Sequence, residues 1–303
     1  MIRAENVTKS YHEHTALDNL SIDVKKGSVY GLLGPNGAGK TTFIRIINQI
    51  VIPDSGTIMF DDEVLQPKHI SQIGYMPEER GLYRNMKVGE QALYLAQLKG
   101  LSYHDAKIKL KYWFDKFEIS SWWNKKIGQL SKGMAQKVQF IVTVLHDPKL
   151  LIFDEPFSGF DPLNAQVIKD EILELKDKGA TVLFSTHRME SVEEMCDHIA
   201  LIDNSHKVLD GEIGEVKRNH RNNKYDITIN DYDVPNLEKL NNIVRVESSR
   251  LNQNFHDQVD ITLKMINGTS SQELLKKLMT LGELHRFAEN IPSINEIFIQ
   301  HVE

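Results

Sequence analysis

The feature that most constrains this chain is a glycine-rich loop between a strand-like run and a helical run. The strand-like run is Val29–Leu33 and the helical run is 42–50. The glycines of such a loop let backbone N–H groups surround a di- or triphosphate, Lys40 neutralises the terminal phosphates, and the Thr41 hydroxyl can bind Mg2+. The pattern therefore predicts a P-loop nucleotide-binding protein with an α/β core. Its nucleotide-binding residues would be Gly34, Pro35, Asn36, Gly37, Ala38, Gly39, Lys40, Thr41 and Thr42.

A second run supplies the acids that nucleotide hydrolysis needs. Residues 150–153 are apolar, and Asp154 and Glu155 follow directly. This pattern is typical of a buried parallel strand that delivers carboxylates at its carboxyl end. We expect Asp154 to bind Mg2+ and Glu155 to polarise the attacking water. The alternative is a pair of surface acids after a strand, but the apolar run and the turn at Pro156 argue against it.

Three further segments complete an ordered set of motifs. Residues 130–136 read Leu-Ser-Lys-Gly-Met-Ala-Gln and precede an apolar helical stretch at 138–145. Residues 158–161 read Ser-Gly-Phe-Asp, and residues 185–187 read Ser-Thr-His. These segments resemble the signature loop, the D-loop and the switch histidine of ATP-binding cassette (ABC) ATPases. Together with the phosphate loop and the acidic strand, they form a highly specific match.

The resemblance implies a dimer in which each ATP lies between the phosphate loop of one chain and the signature loop of the other. Ser131 and the backbone N–H of Gly133, at the start of a helix, would bind the γ-phosphate of the partner's ATP. His187 would contact that phosphate and the water, although an isolated histidine is more often a core or surface residue. Tyr11 matches the aromatic that stacks on adenine, and a simple surface tyrosine is the alternative.

Three residues depart from the common pattern of the family. Lys132 stands where glycine is usual, Met134 where glutamine is usual, and Glu78 where most relatives have the glutamine of the Q-loop. A lysine near a helix N-terminus is mildly unfavourable, so the simplest account of Lys132 is a solvated side chain; a nearby triphosphate would reverse the sign. Glu78 could bind Mg2+ through oxygen, but it adds a charge and cannot donate a hydrogen bond.

Two strings narrow the resemblance to a subgroup. Residues 77–83, Pro-Glu-Glu-Arg-Gly-Leu-Tyr, and 131–134, Ser-Lys-Gly-Met, resemble the sodium-extrusion (Nat-type) ABC ATPases of bacterial and archaeal export systems. The implied function is an ATP-hydrolysing exporter subunit with ATP and Mg2+ as cofactors. ATP-driven dimerisation with a second ATPase subunit would power separate membrane subunits. Its expected location is cytoplasmic, peripheral at the inner face of the cell membrane.

The alternative function is a soluble ABC ATPase that acts on nucleic acid or ribosomes. Such proteins usually carry two cassettes or a long coiled-coil insertion, whereas this chain has one motif set and no sustained heptad segment. The 303 residues include 36 Lys+Arg and 42 Asp+Glu, for a net charge of -6. A mildly acidic chain lacks the basic footprint of a nucleic-acid-binding protein, so no nucleic-acid partner is expected.

The remaining composition fits a subunit that is not secreted. The single cysteine, Cys196, excludes an intramolecular disulfide and suits a reducing compartment. The sequence shows no secretory signal and no run of about 18 apolar residues of the kind that a membrane span needs.

The motifs and composition predict two domains. Residues 1–216 would form the ABC ATPase domain, with a helical subdomain at about 86–145 that carries the signature loop. The polar, basic run 217–224 is interpreted as a linker. Residues 225–303 would form a small accessory α+β domain. The individual elements predicted are helices at 88–99, 105–117 and 162–178, strands at 225–229, 243–248 and 259–265, and helix starts marked by Ser270 with Glu273 and Ser293 with Glu296.

Overall fold

The computed structural model describes residues 1–79, 81–158, 160–266 and 268–302, without the side chain of Tyr232. Two residues of the predicted motifs, Arg80 and Gly159, lie outside the described residues. The chain divides into two compact units, each described here by itself. Unit 1 contains Met1–Ile213 and the described residues from Gln300 onward, and unit 2 contains Gly214–Ile299.

Unit 1 is built on two sheets and a set of helices. Its strands are β1 (Ile2–Tyr11), β2 (His14–Val24), β3 (Val29–Leu33), β4 (Ser55–Phe60), β5 (Glu63–Val64), β6 (Ile73–Met76), β7 (Leu150–Asp154), β8 (Thr181–Ser185), β9 (His198–Asp203) and β10 (His206–Glu212). Its helices are α1 (Lys40–Ile47), α2 (Val88–Leu98), α3 (Tyr103–Lys116), α4 (Lys132–Val144), α5 (Pro162–Asp177) and α6 (Met189–Met195). Helix α7 (Ile213–Asn219) follows at the boundary with unit 2.

The larger sheet has the strand order β10-β9-β3-β8-β7-β6, and all its pairings are parallel except that of β10 with β9. Every residue of β3, β7 and β8 is buried, which explains why these strands are nearly continuous apolar runs in the sequence. Because the three strands are parallel neighbours, their carboxyl ends meet at one edge of the sheet. The phosphate loop, Glu155 and His187 all follow these ends directly.

The smaller sheet is antiparallel, in the order β2-β1-β4-β5. It contributes to the same apolar core as the larger sheet and α1: the core cluster includes Ile22, Phe60, Phe43, Ile152 and Leu183. This shared core fixes α1, and therefore the phosphate loop before it, against the central strands. Among the described helices, none is long and apolar enough to cross a membrane.

The helix predictions for unit 1 are confirmed in type but differ at their ends. Helix α1 ends at Ile47 rather than at residue 50, because Gln49 has a left-handed φ of 54°. Helix α3 begins earlier than predicted because Ser102 caps it, its Oγ accepting from the Asp105 N–H at 3.1 Å. Helix α4 begins at Lys132, six residues before the predicted apolar stretch. Helix α5 begins at Pro162 as predicted, capped by Asp161, whose side chain accepts from the Asn164 N–H.

Unit 2 has an antiparallel sheet in the order β12-β13-β11-β14 around its own apolar core. Its elements are β11 (Lys224–Asn230), a 3-10 segment (Asp231–Leu240), β12 (Val244–Leu251), β13 (Gln258–Met265), α8 (Ser271–Met279), β14 (Leu284–Asn290) and the part of α9 (Ile294–Val302) that precedes Gln300. Both predicted helix starts are confirmed: Ser270 accepts from the Glu273 N–H, and Ser293 and Glu296 cap each other reciprocally.

The segment 217–224, interpreted from the sequence as a linker, overlaps the ends of two structural elements. Residues 217–219 are the last turn of α7, and residue 224 begins β11. A basic pair in the last helical turn, Lys217 and Arg218, is favourable beside the negative end of the helix dipole, so the same residues that suggested a solvated connector suit a helix terminus.

The Ser270 cap gives a stability prediction. We expect Ser270→Ala to lower the free energy of unfolding by about 1 kcal/mol, because the first turn of α8 loses its side-chain acceptor. The neighbouring Ser271→Ala is the matched control and should have little effect, since Ser271 is a helical residue rather than the cap. Urea unfolding of both variants tests this, and equal midpoints for the two would contradict it.

Candidate nucleotide-binding site

The phosphate loop joins β3 to α1 in a conformation that needs glycine. Gly34 and Gly39 have φ values of 150° and 115°. A Cβ on Gly39 would lie 2.3 Å from the carbonyl oxygen of Ala16, and one on Gly34 would lie 2.2 Å from that of Ile202. The two glycines therefore allow the loop to lie directly on neighbouring backbone, with the N-terminus of α1 at its end.

Lys40 is buried and its ammonium lies within the loop. Its Nζ donates to the carbonyl oxygens of Gly34 at 2.7 Å and Pro35 at 3.0 Å. Burial lowers the pKa of Lys40, while the nearby carboxylates Glu155, Asp154 and Glu78 act in the opposite direction. These acids favour the charged form of the lysine, which is the form that attracts a phosphate.

A cavity of about 290 Å³ opens over the loop and brings most of the predicted site together. It contains the adenine-stacking candidate, the loop and the three acids. Its lining residues are Tyr11, His14, Ala16, Asn36, Gly37, Gly39, Lys40, Thr41, Thr42, Glu78, Asp154 and Glu155. Of the other predicted loop residues, Gly34 and Pro35 support Lys40, and Ala38 is buried, with its N–H bonded to the Pro35 oxygen at 3.3 Å.

Sequence reasoning missed His14 and Ala16 in this cavity. The signal was their position: His14 pairs directly with Tyr11 across the turn between β1 and β2. Any residue at the start of β2 would therefore share the surroundings of Tyr11, whose side chain is 40% exposed.

Asp154 lies at the end of β7 as a buried acid between two hydroxyl groups. Its Oδ1 accepts from Ser185 Oγ, and its Oδ2 accepts from Thr41 Oγ1 at 3.4 Å. Among the described residues, no group of three or more His, Cys, Asp or Glu side chains could hold a metal ion. The donor set nevertheless fits Mg2+, which is bound through oxygen by one or two protein groups together with substrate phosphates.

Glu155 leaves the strand with a left-handed φ of 50°, and its backbone N–H donates to the Ser185 carbonyl at 3.0 Å. Its side chain accepts from His187 Nδ1 at 2.7 Å and from Thr186 Oγ1 at 3.3 Å. The carboxylate is thus positioned from β8 as well as from β7. His187 does not line the cavity, but it reaches the site through Glu155.

The signature residues occupy another place in the same chain. Ser131 caps α4, its Oγ accepting from the Met134 N–H at 3.2 Å, and Gly133 lies in the first turn. Neither residue lines the cavity over the phosphate loop. Lys132 is exposed, as the solvated-side-chain account expects, and its Nζ in addition donates to Ser158 Oγ at 3.3 Å.

Helix α4 also holds the segment that precedes Glu78. The Nε2 of Gln139, which is buried, donates to the carbonyl oxygen of Pro77 at 2.9 Å. Thr143 Oγ1 makes a longer bond, 3.4 Å, to the carbonyl oxygen of Tyr75. The carboxylate that stands at the Q-loop position is therefore tied to the helix that begins with the signature residues.

Three family profiles match this chain, and one of them, described as AAA domain, putative AbiEii toxin, Type IV TA system, covers only residues 124–193. Residues 17–158 match the profile described as ABC transporter, which includes the phosphate loop, the signature segment and both acids. Residues 211–302 match the C-terminal domain of ATP-binding protein DrrA1-3-like proteins.

Comparison with individual proteins gives the same result. An uncharacterized ABC transporter ATP-binding protein of Bacillus subtilis (strain 168), YhaQ, is 39% identical over 304 residues, which is 100% of this chain and 98% of YhaQ. ABC transporter ATP-binding protein NatA of the same organism is 36% identical over 68% of this chain and 85% of NatA. A solved ATP-binding subunit of an ABC transporter superposes with a TM-score of 0.68 at 30% identity, covering 72% of this chain and 92% of that one. The predicted P-loop ABC ATPase fold is thereby confirmed, and the chain belongs to the ATP-binding, ATP-hydrolysing proteins of ABC transporters.

Proposed function

We propose that this chain is the ATP-hydrolysing subunit of an ABC exporter and that the cavity over the phosphate loop is its ATP site. The observation that carries the proposal is the convergence of Tyr11, Lys40, Asp154 and Glu155 on one cavity at the carboxyl edge of the central sheet. Ligands of open α/β sheets bind at this edge. The proposed domains are those expected from the sequence, 1–216 for the ATPase and 225–303 for the accessory domain.

Each residue has a proposed role that follows from its position. Lys40 binds the terminal phosphates, and the N–H groups of the loop and of the start of α1 donate hydrogen bonds to the phosphate oxygens. Thr41, Asp154 and Glu78 would hold Mg2+, which offsets phosphate charge when bound. Glu155 polarises the attacking water. His187 orients Glu155, because the carboxylate accepts a hydrogen bond from His187 Nδ1, with 2.7 Å between the nitrogen and oxygen atoms.

The ATP site is proposed to be completed by a second ATPase subunit. Ser131 and Gly133 are absent from the lining of the described cavity, although the family resemblance assigns them to the γ-phosphate. A partner chain facing head to tail would supply its own signature residues. Ser131 and Gly133 suit that role because they lie at the positive end of the 13-residue helix α4.

The proposals for the direction of transport and the cargo depend on resemblance to one subgroup of the family. The Ser-Lys-Gly-Met signature and the string at 77–83 support the Nat-type subgroup, and the similarity to NatA agrees with it. We therefore propose a sodium-extrusion-like export system, for which Na+ is the cargo to test. The subunit would act at the cytoplasmic face of the membrane, bound to membrane subunits of the transporter. The family match gives no support to the alternative of an ABC ATPase that acts on nucleic acid or ribosomes.

Reconstitution tests the transport proposal. The chain would be co-purified with a membrane subunit, sought first in the adjacent reading frames, and placed in liposomes with Na+ or with K+ as the matched control. The expected result is ATP-dependent Na+ movement that is lost with Glu155→Gln. If neither ion moves, the sodium assignment is wrong. Co-purification with ribosomes in place of a membrane protein would overturn the transport function.

Tyr11 provides a test of the adenine side. We expect Tyr11→Ala to weaken ATP binding roughly tenfold, because stacking of a base on an aromatic ring contributes about 1–3 kcal/mol. Tyr11→Phe should bind within about twofold of the parent, since it keeps the ring face. Calorimetric titration with ATP gives both values. If Tyr11→Ala binds ATP with the parent affinity, Tyr11 does not stack on adenine and is a simple surface tyrosine.

A further inference from the structure

The first turn of α4 holds the turn that carries Glu155. Lys132 and Gln136 are four residues apart, so their side chains lie on one face of α4. Both reach Ser158: Lys132 Nζ donates to Ser158 Oγ at 3.3 Å, and Gln136 Nε2 donates to the Ser158 carbonyl oxygen. Gln136 is buried, at 3% exposure, whereas Lys132 approaches from the exposed side. Ser158 is therefore held through its backbone and its side chain by the same helix.

Ser158 in turn closes the turn that begins at Glu155. Its backbone N–H donates to the Glu155 carbonyl at 3.1 Å. Glu155 has a φ of 50°, a conformation that is costly for a residue other than glycine and that persists where its surroundings hold it. A loosened Ser158 would release this turn and let the Glu155 carboxylate move from its place between Thr186 and His187.

Among these three contacts to the Glu155 turn, the one from Lys132 depends on a departure from the family pattern, which has glycine at this position. A glycine at that position has no side chain and could not reach Ser158, whereas Gln136 and the backbone bond of Ser158 would remain. The bond also occupies one of the three donors of the ammonium within its own chain. This contact gives the lysine a role that neither free solvation nor a phosphate contact provides.

We propose that Lys132 is a positioning residue for ATP hydrolysis, which holds the Glu155 turn through the hydroxyl of Ser158. The proposal rests on the proposed role of Glu155 with the attacking water. It predicts an effect on kcat and not on ATP affinity, because the Lys132–Ser158 bond lies within one chain and acts on the Glu155 turn rather than on the nucleotide.

A double-mutant cycle tests the pair. Lys132→Met and Ser158→Ala should each lower kcat about 3- to 10-fold, the effect of one lost solvent-exposed hydrogen bond, with KM for ATP within about twofold. The double variant should be no slower than the slower single variant, since both changes remove the same bond. Lys132→Arg retains a donor and should keep at least about half of kcat. Lys137→Met, elsewhere on α4, is the control for loss of a lysine.

Three results would overturn the proposal: additive losses in the double variant, unchanged kcat in Lys132→Met, or a raised KM for ATP that does not depend on Ser158. The last would indicate a contact with the partner's phosphate. Thermal unfolding of each variant checks that the fold is intact. Glu155→Gln in the same assay separates the two proposals. If this variant hydrolyses ATP at the normal rate, the proposed hydrolysis site itself is wrong. If it is inactive while the losses in the Lys132 and Ser158 cycle are additive, only the role proposed for Lys132 is wrong.

Discussion

Glu155→Gln is expected to bind ATP within about twofold of the parent protein and to lose hydrolysis by a factor on the order of 10² or more, the scale of a lost general base. Glutamine has nearly the same shape and can still accept the His187 bond through its oxygen. It cannot take a proton from water at neutral pH. Binding and chemistry should therefore separate in this variant.

Calorimetry and phosphate release on one preparation measure the two quantities. Glu190→Gln, a change of the same kind at an exposed acid of α6, is the matched control and should hydrolyse ATP at the parent rate. Asp154→Asn should behave differently, because its expected defect is in Mg2+-dependent binding. Turnover of Glu155→Gln within about threefold of the parent would contradict the role proposed for this carboxylate.

Lys40→Ala is expected to weaken ATP binding on the order of 10²-fold, because a buried charge-assisted interaction with the phosphates is lost. The remaining carboxylates would increase this effect. Asp154, Glu155 and Glu78 all interact with the Lys40 charge, and without the cation they would oppose an incoming triphosphate. The fold should tolerate the change, since burial already disfavours the charged lysine, as its lowered pKa indicates.

Lys99→Ala is a matched control for this experiment. Lys99 is also partly buried, burial also lowers its pKa, and its Nζ also donates to two backbone carbonyls, those of Ile70 and Ile73. It lies in a different cavity, so its loss should leave ATP affinity unchanged. Equal ATP affinity for Lys40→Ala and the parent, with both folded, would remove the phosphate-loop assignment.

The parts of the site that the sequence predicts are those fixed by local chain geometry. Gly39 and Lys40 belong to a loop whose phosphate-binding shape is set within a few residues of backbone, so the motif carries most of its own structure. Asp154 follows a strand that is buried on both faces, and such a strand is recognisable from composition alone. In unit 2, the caps at Ser270 and Ser293 are equally local, and both were predicted correctly.

The parts that the sequence does not predict depend on contacts between distant segments. Lys132 reaches Ser158, 26 residues away, and no pattern in either segment indicates that pairing. His14 lines the cavity because a hairpin places it opposite Tyr11. Strand β14 (Leu284–Asn290) was missed because most of it is polar or half-exposed, and only its pairing with β11 makes it a strand.

The most direct test of the two-chain ATP site is the mass of Glu155→Gln measured by sedimentation in saturating Mg-ATP, with turnover recorded on the same sample. The predicted result is a stable ATP-bound dimer with almost no hydrolysis, because in the proposed site the phosphates of each nucleotide would be held by Lys40 of one chain and Ser131 of the other. Asp154→Asn should give no such dimer. A Glu155→Gln protein that remains monomeric under these conditions, or that hydrolyses ATP at close to the parent rate, would contradict the proposed site.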